Sequence, residues 1–435
     1  MIEILGIFLQ LLVFVLIFSF PFKVNQINSF FGLEKNYLNY FDVHAINIIF
    51  FIYLAIILSF TGLDLKTIFK FHLIISIIFF IFNFKEIKSS IYRIEKFNYL
   101  FFLLLIISIF FYISQNLKLE WDGHHWIEKA LVFFNGLKIQ EISNVKVHPH
   151  YPHIGSYIWA YFWKNSLLEL EYLGRFFQPY LYVLSIFVAS NLIKNTNNNL
   201  KIVSILFLVL ITFEPYLFAG YQEYLIFSSL IIASRYIQLL DFKKIENFKI
   251  IFLVFLIFYT LPWYKDEGIV YYFIFSTILI SFLNYNLKNK IIFFFILILL
   301  WYLQFLSQKY IIGIYDFPQK TSLEDLYNDI INIKLFLTKI SKIFLHIFIS
   351  FIKYPLWLVL IISFFGLLIN KANLDKNMKY FIFCFLFNIL FIIAVFFTFK
   401  SFDFMLKVSL DRLLFQTSGF YLVFIIIFLN KIKNN

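Results

Sequence analysis

The ionisable side chains best suited to chemistry lie in one polar segment, residues 118–164, which is flanked by long apolar stretches. The segment holds five of the eight histidines of the chain together with several carboxylates. In a chain this apolar, ionisable groups gathered in one place predict a functional site. The residues of interest are Glu120, Asp122, His124, His125, Glu128, His148, His150 and His153.

Asp122 stands at the start of a short helical pattern that ends at Asn135-Gly136. Aspartate is a preferred N-cap residue and glycine a typical helix stop, so the pattern predicts a helix capped by Asp122. A carboxylate at the start of a helix is also well placed to accept a proton from a substrate hydroxyl. The structural and the catalytic role of Asp122 are compatible, and both are open at this point.

Three histidines, His148, His150 and His153, lie close enough in sequence to raise the question of a metal ion. Pro149 and Pro152 interrupt them, so no regular helix or strand would aim the three rings at one point. The pattern therefore favours histidines that bind water or phosphate over a structural metal site.

Three smaller polar groups occur at the ends of apolar stretches elsewhere in the chain. Each alone is explained by snorkelling or capping at a helix end. Together with Asp122 and Glu120 they predict carboxylates and cations around one outer surface. Such a surface can hold a phosphate and deprotonate an alcohol. The groups are Tyr221-Gln222-Glu223, Lys265-Asp266-Glu267-Gly268, and Lys407 with Asp411 and Arg412.

The composition predicts a membrane protein. Of the 435 residues, 62% are hydrophobic and only 14% are charged, whereas a soluble domain is about half apolar and about a quarter charged. A bilayer removes the need for a polar coat. The net charge of +12 comes largely from lysines in short loops, as membrane topology requires, and indicates no nucleic-acid partner. The single cysteine, Cys384, excludes an internal disulfide.

Apolar stretches of about 20 residues recur along the chain, and each predicts a transmembrane helix. The fold class is therefore an all-α, polytopic integral membrane protein with about 13 spans and with interfacial helices in its outer loops. The predicted spans are 3–22, 43–60, 66–84, 97–114, 174–193, 201–219, 222–240, 249–263, 268–285, 290–310, 355–370, 379–399 and 413–430.

The orientation follows from the short basic loops, which face the cytoplasm in membrane proteins. With thirteen spans, lysine-rich loops such as residues 85–96 all fall on one side. Residues 115–172 and 311–353 then form two large outer loops on the opposite side, where residues 400–412 form a shorter loop. Residues 334–353 carry polar, mostly basic residues every three to five positions, which predicts an amphipathic helix lying on the interface.

Several strings in a fixed order resemble the GT-C superfamily of membrane glycosyltransferases, in a bacterial branch related to protein mannosyltransferases and aminoarabinose transferases. They are WDGHHWIEKA, HYPHIGSYIWAYFW, GYQEYL, WYKDEG and the later SLDRLLFQ. The resemblance covers roughly residues 97–430. It implies a catalytic membrane domain over residues 97–435, preceded by about three N-terminal helices in residues 1–96.

The resemblance implies inverting transfer of a sugar from a polyprenyl-phosphate donor to a hydroxyl of a glycan, lipid or protein, on the outer face of a bacterial plasma membrane. Asp122 would be the general base, and Glu120 and Glu223 would be second candidates or would position the acceptor. Lys265 and Arg412 would hold the lipid phosphate. The further substrate-binding residues would be Tyr151, Glu267, His124 and His153.

The chain departs from the family pattern at three points. The large loop follows the fourth predicted span instead of the first, and Glu223 stands where aspartate is commoner. Glu120-Trp-Asp122 replaces an Asp-x-Asp motif, so a divalent metal ion, Mg²⁺ or Mn²⁺, is left open.

Two other classes of protein share much of this pattern. A polymerase or ligase of surface polysaccharide is also polytopic and uses basic residues for a lipid diphosphate, but its large loop usually falls late in the chain. A lipid or glycan transporter would bury charges in mid-span near broken helices. Here the charges gather at the ends of spans, with Glu214-Pro215 as the exception.

Overall fold

The computed structural model describes residues 2–18, 23–34, 37–93, 96–116, 118–119, 121–193, 198–240, 242, 248–315, 327, 331–369, 376–399 and 401–434. The α-helices of these residues, numbered in chain order, are α1 Ile2–Ile17, α2 Val24–Phe30, α3 Tyr40–Ser59, α4 Leu65–Arg93, α5 Lys96–Asn116, α6 Trp121–Phe134, α7 Ile154–Lys164, α8 Glu171–Gly174, α9 Phe177–Ser190, α10 Asn198–Thr212, α11 Glu223–Ile237, α12 Phe248–Tyr264, α13 Glu267–Phe282, α14 Leu287–Leu306, α15 Ile333–Lys353, α16 Pro355–Ile369, α17 Lys376–Phe397 and α18 Phe402–Asn434.

The all-α prediction is confirmed, because the described residues form helices and contain no β-strand. Seven of these helices are long and apolar enough to cross a membrane. Shorter apolar helices accompany them, and the count of thirteen spans stays a prediction. The seven are Tyr40–Ser59, Leu65–Lys85, Phe97–Ser114, Leu287–Ile312, Ile333–Lys353, Lys376–Phe397 and Phe402–Asn430.

Helices α9 and α11 form the centre of the bundle. Every residue of both helices is buried, because α11 packs against α9, α12 and α18. The sequence predicts both as spans, at 174–193 and 222–240. Since their side chains face other helices instead of lipid, they can carry small polar residues such as Ser228 and Ser229, which are fully buried.

The last helix differs from the prediction. The sequence predicts an outer loop over residues 400–412, but α18 already begins at Phe402 and runs as one helix of 33 residues. A stripe of buried apolar residues at helical spacing explains the difference. Arg412 is therefore carried on the side of a helix instead of on a loop. The buried residues of the stripe are Phe402, Leu406, Leu410 and Leu414.

Helix α15 matches the predicted helix over residues 334–353. Its apolar side chains, such as Phe348, are largely exposed on the outside of the bundle. On another side, Lys342 pairs with the exposed Asp403 of α18 at 2.9 Å. Because α15 is also long and apolar enough to cross a membrane, its interfacial position stays a prediction.

A buried ion pair fastens the N-terminal helices to the centre of the bundle. The Arg235 guanidinium, near the end of α11, donates to both carboxylate oxygens of Asp42 in α3, at 3.1 and 3.2 Å. The hydroxyl of Tyr236 donates to the Asp42 backbone carbonyl at 2.6 Å. Asn39 caps α3 in a capping box with Asp42. Two charges in an apolar interior are tolerated only when paired and hydrogen-bonded in this way.

We predict that Asp42→Asn destabilises the protein by about 3–5 kcal/mol, because it leaves the Arg235 guanidinium buried without a counter-charge. The double variant Asp42→Leu with Arg235→Met should recover most of that loss, since it removes both charges. The measurement is thermal unfolding in detergent. Asp403→Asn, which breaks an exposed pair, serves as the control and should leave the melting temperature unchanged. An unchanged melting temperature in Asp42→Asn would contradict the structural role of the pair.

Candidate functional site

The polar segment after α5 folds largely into helix α6, a 3-10 turn over Ile139–Asn144 and helix α7. The predicted helix stop is confirmed, because α6 ends at Phe134 and Gly136 follows with a left-handed backbone, φ +68°. The predicted start is two residues late, because an N-cap at Asp122 puts the first helical residue at 123. Helix α6 begins at Trp121, so Asp122 lies in its first turn and is not the N-cap. A carboxylate in the first turn is still favoured by the helix dipole.

Two glycines bring the start of α6 against the turn before α11. Gly220 has a left-handed backbone, φ +95°, and a Cβ atom on it would stand 2.8 Å from the Cα of Gly123. A Cβ on Gly123 would in turn meet the Ala219 carbonyl oxygen at 2.4 Å. Neither position can hold a larger residue without moving the backbone. The contact places Asp122, beside Gly123, near Glu223 at the head of α11.

Five charged side chains from four separate parts of the chain meet here, and we call them the central ion-pair cluster. Arg412 of α18 donates through Nη2 to Asp122, and through Nε to Glu223 at 2.7 Å. Lys265 donates to the same Glu223 oxygen at 2.9 Å and lies 3.6 Å from Glu267. The structure thus brings together Asp122, Glu223, Lys265, Glu267 and Arg412, as the sequence predicts.

Glu223 is the centre of the cluster, and its side chain is fully buried. An isolated carboxylate would be very costly there, so the two cations are required to keep it charged. The same attraction works on Lys265, which lies in the link between α12 and α13. Burial alone would lower the pKa of the Lys265 ammonium, but Glu223 and Glu267 raise it overall. Lys265 therefore stays a cation throughout the physiological pH range.

The cluster keeps unused hydrogen-bonding capacity. Within the described part of the chain, Arg412 donates through Nε and Nη2, and its Nη1 makes no hydrogen bond. The second oxygen of Glu223, Oε2, is buried and accepts no hydrogen bond from the described residues. The Asp122 carboxylate is a quarter exposed. The site therefore offers N–H donors to an anion and carboxylate oxygens to a hydroxyl.

Tyr151 lies beside the cluster in a stack of aromatic rings. Its ring stacks on Trp126 and on His148, with centroids 5.7 and 4.7 Å away. Burial raises the pKa of the Tyr151 phenol, and the charges of Glu267 and Asp266 raise it further. The phenol therefore stays protonated and can act as a hydrogen-bond donor.

The remaining predicted site residues are dispersed. His153 is buried, and its ring shares a 2.9 Å hydrogen bond with the hydroxyl of Ser59 in α3. Burial and the charge of Lys129 lower the pKa of His153 to about 3, so its ring is neutral at pH 7. His124 is exposed on α6. Glu120, the second catalytic candidate, lies outside the described residues.

The described residues contain no group of three or more histidine, cysteine, aspartate or glutamate side chains that could hold a metal ion. His148 and His150 do lie near each other, with ring centroids 5.5 Å apart. Nε2 of His150 faces the Asp266 carboxylate at 3.7 Å. A role for Mg²⁺ or Mn²⁺ at the cluster stays open.

Sequence reasoning missed two contributors to the site and named a third, Tyr221, without giving it a role. Lys129, which is almost fully buried, donates to the backbone carbonyl of Tyr151 at 2.6 Å. Its position two helical turns after Asp122, on the same face of α6, was a usable signal. The ring of Tyr221 packs 4.5 Å from the Arg412 guanidinium. The only sequence signal for the Gly123–Gly220 contact is that each glycine lies next to an acidic motif.

Comparisons with protein-family models, curated proteins and solved structures found no match to this chain. The resemblance to GT-C glycosyltransferases therefore stays a prediction from the residues.

We predict different consequences for the two carboxylates that bind Arg412. Glu223→Gln should destabilise the protein by about 3–5 kcal/mol, because Lys265 and Arg412 lose the buried anion that they share. Asp122→Asn should cost less than about 1 kcal/mol, because Asp122 is partly exposed and Arg412 keeps Glu223. Melting temperatures of the two purified variants test this difference. Equal losses would show that Asp122 is as much a structural group as Glu223.

Proposed function

We propose that the protein is an integral membrane glycosyltransferase that moves a sugar from a polyprenyl-phosphate donor to an acceptor hydroxyl, with inversion at the anomeric carbon. The supporting observation is the central ion-pair cluster, in which motifs far apart in sequence supply carboxylates and cations to a single site. The order of these motifs is what resembles the GT-C superfamily.

In this mechanism, the acceptor oxygen forms a bond to the anomeric carbon while the bond from that carbon to the phosphate oxygen breaks. Asp122 accepts the proton of the acceptor hydroxyl, and polyprenyl phosphate leaves with the electron pair of the broken bond. Lys265 and the unused Nη1 of Arg412 bind the departing phosphate. An in-line inverting displacement requires the base and the cations on opposite faces of the sugar, so Asp122 has to separate from Arg412 when the donor binds.

The ion pair between Asp122 and Arg412 links donor binding to catalysis. While Arg412 binds Asp122, the guanidinium occupies a carboxylate oxygen that would otherwise accept the proton. A phosphate that binds Arg412 competes with Asp122 for the guanidinium. Arg412 keeps its bond to the buried Glu223 in either state. Donor binding therefore releases Asp122 to accept the proton of the acceptor.

In this proposal the protein lies in a bacterial plasma membrane, and the central ion-pair cluster is on the periplasmic or extracellular face. About 13 spans would carry the fold, and the interfacial helix α15 would lie beside them. The donor would enter sideways from the bilayer, and the acceptor would be a glycan, lipid or protein. The seven long apolar helices are compatible with a membrane protein of this kind.

The proposal predicts that Asp122→Asn lowers sugar transfer by about 10²–10⁴-fold, which is the usual contribution of a general base. The assay follows release of polyprenyl phosphate from radiolabelled polyprenyl-phosphate sugars by the purified protein, with and without EDTA. Asp403→Asn, an exposed carboxylate outside the cluster, is the matched control and should retain full activity.

Full activity in Asp122→Asn would remove Asp122 from the mechanism. Failure of the wild type to release polyprenyl phosphate from any donor, together with transport of lipid or glycan across vesicles, would replace the transferase with a transporter. A loss of activity in EDTA that Mg²⁺ or Mn²⁺ restores would add a metal ion to the site.

A further inference from the structure

Lys129 is a buried charged group that the proposed mechanism does not use. Only 1% of the residue is exposed, and no carboxylate of the described residues forms an ion pair with it. Its ammonium instead donates to the Tyr151 carbonyl and lies 5.5 Å from the ring centroid of Trp126. A buried ammonium without an anion partner is costly. Its presence therefore calls for a reason other than stability.

The geometry gives that reason. Helix α6 carries Asp122 in its first turn and Lys129 two turns later on the same face. Lys129 is hydrogen-bonded to the turn that contains Tyr151. In this turn, His148 has a left-handed backbone, φ +52°. Trp126 lies between the two on α6 and stacks on the Tyr151 ring. One rigid helix thus sets the position of the Tyr151 turn relative to Asp122.

We propose that Lys129 is a positioning residue that holds Tyr151 against the central ion-pair cluster, so that the Tyr151 phenol donates a hydrogen bond to the phosphate or to a sugar hydroxyl of the donor. This inference rests on the proposed function for the identity of the ligand. The positioning of the turn itself can be tested without any substrate.

The titratable groups that interact with Lys129 come from two links of the chain. Asp266 belongs to the link between α12 and α13, and the neutral His153 and Tyr151 belong to the link before α7. The ring of Trp126, on the same helix, also contacts the ammonium. Burial lowers the pKa of the Lys129 ammonium to about 7, and Asp266 offsets part of that effect. To fold, the chain must either bury the charge of this lysine or remove its proton. The free-energy cost of doing so decreases as pH rises.

The sign of the pH effect follows directly. The ordinary pKa of a lysine is 10.5, so between about pH 7 and pH 10.5 the unfolded chain binds a proton that the folded protein does not. The wild type should therefore gain stability relative to Lys129→Met as pH rises through this window. Below about pH 7 the penalty is complete, and Lys129→Met should melt at the same or a higher temperature than the wild type.

The first arm of the experiment needs no donor. Hydrogen–deuterium exchange of the amides in residues 148–153 is compared between the wild type, Lys129→Met and Lys129→Arg, with the exposed Lys138→Met as the matched control. At pH 6, where Lys129 is charged in the folded protein, loss of its charge-assisted hydrogen bond should speed exchange in Lys129→Met by about tenfold. Lys129→Arg, which keeps a charged donor, should restore part of the protection. Lys138→Met should exchange like the wild type.

The second arm measures sugar transfer. Because misplacing a substrate-binding group by about 1 Å can cost about 10²-fold, Lys129→Met should lower kcat strongly and KM for the donor little. Tyr151→Phe should lower kcat without changing exchange, which separates the phenol from the turn. A group with a purely structural role would instead lower the melting temperature when removed.

Unchanged exchange of residues 148–153 in Lys129→Met would overturn the inference, and so would a lower melting temperature of that variant at pH 6. Normal kcat in both Lys129→Met and Tyr151→Phe would also overturn it. If the wild type transfers no sugar from any donor, the proposed function fails. The exchange and melting arms then still decide whether Lys129 positions the turn.

Discussion

The structure depends on the burial of charge at both ends of α11. Glu223 begins this helix, Arg235 lies in its last turn, and both side chains are enclosed. The signs of the two charges suit the helix dipole, but the dipole alone cannot replace the water that each charge has lost. Each therefore needs a full counter-charge from another part of the chain. The segments that supply these counter-charges must pack against α11.

The counter-charges determine which segments meet. Asp42 brings α3 to the end of α11. At the start of α11, Glu223 binds Arg412 of α18 and Lys265 of the α12–α13 link. Arg412 in turn binds Asp122 and so brings α6 to the same place. The N-terminal helices also contact the polar segment 118–164, because Ser59 bonds to His153 and His72 of α4 bonds to the Tyr161 hydroxyl. One end of α11 thus has a structural pair, and the other has a network with unused donors and acceptors.

The sequence could predict the helical fold and the charged members of the site because their signals are local. Long apolar stretches indicate helices, and Asp122, Glu223, Lys265 and Arg412 each stand out as charges at the edges of such stretches. The start of α18 was missed because Lys407, Asp411 and Arg412 resemble a loop, while the buried face that makes the stretch helical is visible only against its neighbours. The placement of α9 and α11 at the centre was missed for the same reason.

Contacts between distant residues explain what else the sequence did not reveal. The Gly123–Gly220 contact depends on two backbones meeting, and nothing in either motif alone indicates it. His124 and His153 are near Asp122 in sequence, yet one is exposed and the other is turned toward α3. Closeness in sequence to a catalytic candidate therefore does not place a residue in the site.

The charged groups at the two ends of α11 differ in how fully they are paired. Around the Asp42–Arg235 pair, both carboxylate oxygens and the Asp42 backbone carbonyl have partners. At the other end, Glu223 Oε2 and the Trp126 indole N–H are buried and make no hydrogen bond with the described residues, and no carboxylate of those residues forms an ion pair with the buried Lys129. A bundle held together only for stability would gain by pairing or removing such groups. An unpaired oxygen on Glu223, next to the partly exposed Asp122, suits a site that binds a polar ligand.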